Sequence, residues 1–322
     1  MRKGRRAEPR LRLAALALLI ALPACARGQG PARVAPAVDS SLRADTAALH
    51  HTLDSLAEAH HGVVGYSVRN LDTGESLSRL GDETFPTASL IKVPILVTVY
   101  DLVAKGELSL DDPLTVLHID KVPGTGVVQY LHDGAIITVH DAAWLMATIS
   151  DNTATNLLLD RVAMRRVWDK MESLGLHHTK VHSKTFERFT SVAMDSSVKY
   201  GLGVTTPNEM ATLFTLLAEG KAVNPTADST MLDILEHNDD GTLLQRYAQG
   251  VRAAHKTGAT DDVRTECSLF YLRTRVVACV LTKNNADQRW ILDSEPQLTM
   301  ARMGEAIVNA WGIPAPAPTS TP

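Results

Sequence analysis

The stretch TASLIK, residues 87–92, decides how the rest of this 322-residue sequence is interpreted. Ser89 and Lys92 are one helical turn apart, so a helix that begins here presents both side chains on one face. A serine hydroxyl is a weak nucleophile and needs a base within hydrogen-bonding distance, and a partly desolvated lysine with a lowered pKa can act as that base. The stretch therefore indicates a nucleophile and its base, although a helix-capping serine beside a surface lysine has the same pattern.

Apolar patterning on both sides of residues 87–92 predicts a mixed α/β (α+β) fold. Helical spacing predicts helices within residues 49–61, 89–174, 210–219 and 298–311, and apolar runs predict strands at 63–70, 75–80, 263–272 and 275–282. This order indicates an antiparallel sheet flanked by terminal helices, with an all-helical lobe inserted between the two halves of the sheet. We expect a site in the cleft between the lobes.

The predicted boundaries follow composition as well as periodicity. Residues 26–40 have no helical or strand period, and proline recurs at every second position over residues 314–318, so both ends are interpreted as tethers. The predicted parts are a signal peptide (1–24), a flexible tether (25–44), an α/β sheet lobe (45–86 plus 208–313), an all-helical lobe with the active-site loop (87–207) and a disordered tail (314–322).

The N-terminal residues predict export. Basic residues precede an apolar run, residues 13–22, that is too short for a permanent membrane span. A small residue stands before Cys25, as at a lipoprotein cleavage site where the cysteine becomes lipidated, whereas residues 24–26 also fit ordinary secretory cleavage. We therefore predict a periplasmic protein, either anchored to the membrane through Cys25 or released in soluble form.

The charge of the remaining chain argues against a nucleic-acid partner. Residues 1–24 hold six of the 32 Lys and Arg residues and one of the 36 Asp and Glu residues, which leaves 26 against 35 and a net charge near −9. Nucleic-acid phosphates require a basic face, which a chain with this charge does not offer.

Motifs of the His-Glu-x-x-His and paired Cys-x-x-Cys types are missing from the sequence. We therefore predict neither a metal nor another cofactor. We expect a monomer that binds a small-molecule substrate.

Cys267 and Cys279 lie on successive predicted strands of one tight hairpin. An exported protein can form a cross-strand disulfide between such positions. The alternative is a pair of small buried hydrophobic side chains whose strand register does not match.

Two further motifs follow the first along the chain. SDN, residues 150–152, falls between two predicted helices, and KTG, residues 256–258, falls on a predicted strand. Taken singly, the first is compatible with an ordinary helix cap and the second with an edge-strand lysine beside a turn glycine.

The three motifs together, in this order and in these structural contexts, resemble the signature of the class A serine β-lactamases, within the penicillin-recognising serine hydrolases. The resemblance extends from the first predicted helix to Trp311. Ser-Asp-Asn is the middle motif typical of class A enzymes. The resemblance implies an acyl-enzyme mechanism on a β-lactam or a peptidoglycan-stem-like substrate, with no metal.

The resemblance also implies a role for each residue of the motifs. The implied roles are nucleophile for Ser89, acylation base for Lys92, proton donor to the departing lactam nitrogen for Ser150, ligand of the substrate amide for Asn152, and ligands of the substrate carboxylate for Lys256, Thr257 and Arg264. Lys256 is expected to hold Ser150 as well. Gly258 and Ala259 continue the strand, and the backbone N–H groups of Ser89 and Ala259 are expected to form the oxyanion hole.

The resemblance is weakest where the acyl-enzyme would be hydrolysed. Class A enzymes position the attacking water with a loop glutamate in a Glu-Pro-x-Leu-Asn context, and this sequence has no such string. Glu187 is the candidate by its distance from Asn152, and the alternative is a surface glutamate paired with Lys184 or Arg188. For Arg264 the alternative is a solvated arginine at a strand end.

Three functions remain open from the sequence. The first is hydrolysis of β-lactams through Ser89. The second is a D-alanyl-D-alanine carboxypeptidase or esterase-like penicillin-binding protein that deacylates slowly, as the irregular Glu187 context would allow. The third is a non-catalytic binding module of the cell envelope on the same fold.

Overall fold

The structure is a computed structural model that describes residues 39–312. The predicted signal peptide, Cys25, most of the predicted tether and the C-terminal tail lie outside the described residues. Between residues 39 and 312, no helix is both long enough and apolar enough to cross a membrane.

The described chain is built from α-helices and from strands of two to nine residues. The helices are α1 (Thr46–Glu58), α2 (Lys92–Ala104), α3 (Val139–Thr148), α4 (Asn152–Val162), α5 (Met164–Ser173), α6 (Met194–Tyr200), α7 (Pro207–Ala218), α8 (Pro225–Glu236) and α9 (Glu295–Trp311). The strands are β1 (Val63–Asn70), β2 (Ser76–Arg79), β3 (Phe85–Pro86), β4 (Pro113–Val116), β5 (Ala135–Thr138), β6 (Lys180–Val181), β7 (Gly203–Thr205), β8 (Ala253–Ala259), β9 (Arg264–Tyr271) and β10 (Arg275–Lys283).

Five of the strands form one antiparallel sheet in the order β2-β1-β10-β9-β8. The terminal helices α1 and α9 pack against each other and share one apolar core with this sheet. The predicted antiparallel sheet with flanking terminal helices is therefore confirmed.

The central strand β10 is buried on both faces. Successive side chains of a strand point to opposite faces, so alternate residues enter different cores. Val276, Ala278 and Val280 pack in the core that contains α1 and α9. Val277, Cys279 and Leu281 pack in the core that contains α2, α3, α4, α7 and α8. This double burial explains why the sequence of β10 is a continuous apolar run instead of an alternating one.

Cys267 and Cys279 face each other directly in the register of β9 and β10. The structure joins their sulfurs in a disulfide. The alternative, in which the two cysteines are separate buried side chains because the strand register does not match, is therefore wrong.

The segment predicted as all-helical also contains short strands. β4 pairs with β5, and β7 lies between β3 and β6. These strands have two to four residues each, which is too short for a periodic signal. The helix predicted over residues 210–219 is present and begins at Pro207, because the Thr206 hydroxyl accepts from Glu209 N at 3.1 Å and Pro207 occupies the first helical turn.

Candidate active site

Ser89 lies in a single 3₁₀ turn, Ala88–Ile91, that leads directly into α2. Ala88 has a φ of 45°, in the left-handed region that alanine rarely adopts. The hydroxyl of Thr265 on β9 donates to Thr87 O at 2.8 Å. The sheet therefore holds the turn that presents the candidate nucleophile.

Gly258 allows strand β8 to approach this turn closely. A Cβ at position 258 would lie 2.5 Å from Thr87 O and 2.8 Å from Leu90 N. A side chain there cannot fit unless the backbone moves, so the glycine of the KTG motif is required by the contact between β8 and the Ser89 turn.

The amine of Lys92 lies at the centre of the site. Its Nζ lies 2.7 Å from Ser150 O, 3.0 Å from Ser150 Oγ and 2.9 Å from Asn152 Oδ1. Burial lowers the pKa of Lys92 well below its usual value, and the positive charge of Lys256 lowers it further, against the effect of Asp151. The first two motifs are thus joined by a buried lysine whose lowered pKa makes its neutral, basic form easier to reach.

Asp151 organises the loop opposite Ser89. Its carboxylate caps α4 by accepting from Ala154 N at 2.8 Å, and it also accepts from Val127 N at 2.6 Å and Val128 N at 2.9 Å. The sequence indicated only the cap, because the loop contact joins residues more than twenty positions apart. Asn152 adds a bond from its Nδ2 to Pro123 O at 3.1 Å.

Lys256 is fully buried on β8. Its Nζ donates to Thr257 O at 2.9 Å. Burial lowers the pKa of Lys256 to about 8, against the opposing charges of Asp240, Glu266 and Asp239. The positive charge of Lys256 contributes to the lowered pKa of Lys92. The expected interaction by which Lys256 positions Ser150 stays a prediction.

Arg264 is buried at the start of β9, with 2% of its surface exposed. The alternative interpretation as a solvated arginine is therefore wrong. Its Nη1 donates to Val263 O at 2.8 Å and to Thr260 O, and its guanidinium lies 4.6 Å from the centre of the Trp290 ring. Its Nη2 is buried without a hydrogen-bond partner in the described structure, which leaves a donor for an anionic ligand.

A cavity of about 1210 Å³ brings the motifs together. The predicted site residues that line it are Ser89, Ser150, Asn152, Thr257, Gly258, Ala259 and Arg264. Phe186, Trp290, Ile291 and Leu292, all exposed by a third or more, form an apolar border that the sequence did not indicate. Among the described residues no group of three His, Cys, Asp or Glu side chains could hold a metal ion.

The structure places Glu187 beside this cavity, between residues that line it. Phe186 and Arg188 contribute to the lining. The Glu187 carboxylate lies 3.9 Å from Lys184 Nζ, which also donates to Asp160 at 2.6 Å. This contact is the one expected for the ion-pair alternative, and the catalytic role of Glu187 stays a prediction.

Thr185 of this loop is held through its backbone by Asn156 on α4. The side chain of Asn156 donates to Thr185 O at 3.0 Å and accepts from Thr185 N at 2.8 Å. Asn156 follows the SDN motif on α4, and Thr185 lines the cavity. The sequence did not indicate this pair, because neither residue belongs to a motif or to an apolar pattern.

The fold and the three joined motifs define a member of the serine β-lactamase and transpeptidase-like superfamily. The sequence model of the Beta-lactamase enzyme family matches residues 48–311. The chain belongs to that family.

Individual relatives agree with this assignment. Beta-lactamase L2 of Stenotrophomonas maltophilia is 26% identical over 262 residues, which are 80% of this chain and 83% of the relative. A crystal structure of a beta-lactamase from Sphaerobacter thermophilus has 30% identity and a TM-score of 0.74, and the match covers 84% of this chain and all of that one. A PBP-A mutant, solved as an acyl-enzyme complex with penicillin G, has 27% identity, a TM-score of 0.73 and coverage of 82% and 96%.

The approach of β8 to the nucleophile turn yields a prediction about stability. We expect Gly258→Ala to lower the free energy of unfolding by about 1–3 kcal/mol, because the added methyl group must push Thr87 or Leu90 away. Gly241→Ala is the matched control, since its Cβ would meet only Gln245 at an ordinary 3.7 Å. Urea denaturation compares the two variants, and equal stability would show that the Ser89 turn tolerates displacement.

Proposed function

We propose that this protein hydrolyses β-lactams through an acyl-enzyme on Ser89, as a class A-like serine β-lactamase. The observation that carries the proposal is the buried Lys92 amine, bonded to Ser150 and Asn152 one helical turn from Ser89. The named relatives are β-lactamases, and one similar structure holds penicillin G as an acyl-enzyme. Both findings support transfer of this chemistry to the present chain.

In the proposed acylation, neutral Lys92 takes the hydroxyl proton of Ser89 while Ser89 Oγ attacks the lactam carbonyl carbon. The oxyanion is stabilised by the backbone N–H groups of Ser89 and Ala259, both on the cavity wall. Lys92 Nζ lies 3.0 Å from Ser150 Oγ, so the proton passes through Ser150 to the lactam nitrogen as the C–N bond breaks. Lys92 is then neutral again.

The regenerated amine of Lys92 is also the base that we propose for deacylation. It would take a proton from a water molecule that attacks the ester carbon, and the proton would return to Ser89 Oγ as the ester bond breaks. This assignment uses a group whose pKa is lowered by burial and by Lys256. It does not require Glu187, whose carboxylate contacts Lys184.

A second candidate function is a penicillin-binding carboxypeptidase or esterase that acylates quickly and deacylates slowly. The position of Glu187 favours it, because Lys184 Nζ lies 3.9 Å from the Glu187 carboxylate and offers it a partner other than a deacylating water. Export, attachment through Cys25 and the monomeric state stay predictions from the sequence under either function.

The direct test follows the adduct and the turnover in one sample. We expect the wild-type protein to turn over a chromogenic cephalosporin, and Ser89→Ala to lose at least about 10³-fold in rate and to form no adduct with penicillin G by intact mass. Ser173→Ala, a substitution of an exposed serine on α5, is the control.

The outcomes of that test separate the three functions. A persistent adduct on Ser89 with little turnover would replace the β-lactamase proposal by the slow carboxypeptidase or esterase. A wild-type protein with neither adduct nor turnover would exclude both enzymes and leave the binding module.

Glu187 is tested separately. We expect Glu187→Gln to keep turnover of the cephalosporin within about twofold, because Gln retains the size of the side chain and the proposed base is Lys92. Steady-state and single-turnover kinetics measure the effect. Accumulation of acyl-enzyme in the Gln variant, with slow turnover, would instead establish Glu187 as the residue that positions the deacylating water.

The two lysines predict a bell-shaped pH dependence of acylation. The neutral fraction of Lys92 rises as pH rises through its lowered pKa, whereas Lys256, with a pKa of about 8, loses the charge that meets an anionic substrate above that pH. Acylation by penicillin G should therefore rise with pH and fall above about pH 8.

Lys256→Arg is the variant that assigns the falling limb. Arginine stays protonated, so we expect the fall to move to higher pH while the rising limb stays in place. The rate of acylation is measured by stopped flow over about pH 5–10, which covers the expected fall near pH 8 and the region below it. A falling limb that stays near pH 8 in the Arg variant would rule out Lys256 as its origin.

A further inference from the structure

The hydroxyl of Thr257 already has an acceptor inside the protein. Thr257 Oγ1 donates to Asp240 Oδ2 at 2.8 Å, and both residues line the cavity. A hydroxyl has one proton to donate, and a carboxylate can only accept. A substrate carboxylate at this position would therefore have to take the Thr257 proton from Asp240.

The Asp240 carboxylate is fixed in place and carries its charge. Its Oδ1 accepts from Thr242 Oγ1 at 2.6 Å and from Thr242 N at 3.2 Å. Burial acts to raise the pKa of Asp240, but the hydrogen bonds from Thr242 and Thr257 and the charge of Lys256 outweigh it and lower the pKa below its usual value. Asp240 is thus ionised at neutral pH.

The same carboxylate acts on the two cations that would attract an anionic substrate. Asp240 opposes the effect of burial on Lys256 and also on Arg264, so its charge reaches both side chains. An anion that enters this part of the cavity meets two positive groups and one negative group at close range. Like charges in a partly desolvated site repel strongly.

We propose that Asp240 is a specificity-determining residue that disfavours substrates with a carboxylate at the Thr257 position and favours substrates with a neutral group there. The carboxylate of Asp240 can accept a hydrogen bond from an amide N–H, and it imposes no charge repulsion on an ester. This inference rests on the proposed function, because it concerns the acyl donors that react with Ser89.

The test compares an anionic probe with its neutral derivative. The probes are penicillin G and its methyl ester, which share the lactam ring and the side chain. The measured quantity is the ratio of their second-order rate constants for acylation of Ser89, followed by intact mass. Asp240→Asn removes the charge and keeps the size of the side chain. Its one amide oxygen can accept from Thr242, and its NH2 group can donate to the Thr257 hydroxyl oxygen in place of the lost acceptor.

We expect Asp240→Asn to raise the ratio of acid to ester by about tenfold or more, since the repulsion acts only on the anionic probe. Asp239→Asn is the matched control, because Asp239 also acts on the charge of Lys256 but is exposed and one residue away. Its ratio should stay within about twofold of the wild-type ratio. Thermal unfolding confirms that both variants are folded.

The possible failures are distinguishable. An unchanged ratio in Asp240→Asn, with both probes still acylating Ser89, would overturn the inference and leave the proposed function intact. An equal rise in Asp240→Asn and Asp239→Asn would reduce the effect to net charge and would also overturn it. Absence of both adduct and turnover with either probe in the wild-type protein would overturn the proposed function and the inference together.

Discussion

The buried amine of Lys92 imposes the constraint on which the arrangement of the site depends. Transfer of an ammonium group from water to a protein interior costs several kcal/mol unless an opposite charge compensates it. The three atoms in contact with Lys92 Nζ are neutral oxygens, two of Ser150 and one of Asn152. A neutral amine donates two hydrogen bonds and accepts one. All three oxygens accept from Lys92 in the structure, and after loss of its proton the amine can accept from the Ser150 hydroxyl instead. The same contacts therefore serve the neutral form without a new partner.

This requirement explains why the site is assembled from distant parts of the chain. Ser150 has a φ of 57°, in the left-handed region, and in this conformation its hydroxyl and carbonyl both reach the amine. Asp151 holds the loop at 127–128 and caps α4, so the strained residue lies between fixed neighbours. On the opposite side, Gly258 lets β8 contact the Ser89 turn. Rigid backbone on both sides therefore positions the groups that react.

Those parts of the molecule that have a repeating or compositional signal could be predicted from the sequence. The adjacent pairs β1–β2 and β9–β10 follow from apolar strands with short connections, whereas the pairing of β1 with β10 has no such signal. The motif residues Ser89, Ser150, Asn152 and Thr257 meet in one cavity because each motif begins or ends a regular element. The conformation of the loop around Glu187 could not be predicted. It depends on Asn156 and Thr185 and on the ion pair with Lys184, which are single contacts without a pattern.

The contact of Asp240 with Thr257 is of the same kind, since it joins an irregular segment to strand β8 across seventeen positions of the chain. Its position also has a cause within the scaffold. Lys256 is fully buried, and its charged form is maintained against desolvation by Asp240, Glu266 and Asp239. Glu266 lies wholly inside the sheet and is held by Leu244 N at 2.7 Å, so it compensates Lys256 from the interior, whereas Asp240 compensates it from the cavity. The Asp240 carboxylate stabilises the Lys256 cation from the cavity side. It therefore competes with any anionic group of a substrate that Lys256 would bind. The charge that keeps Lys256 protonated thus also limits the substrates that Lys256 can attract.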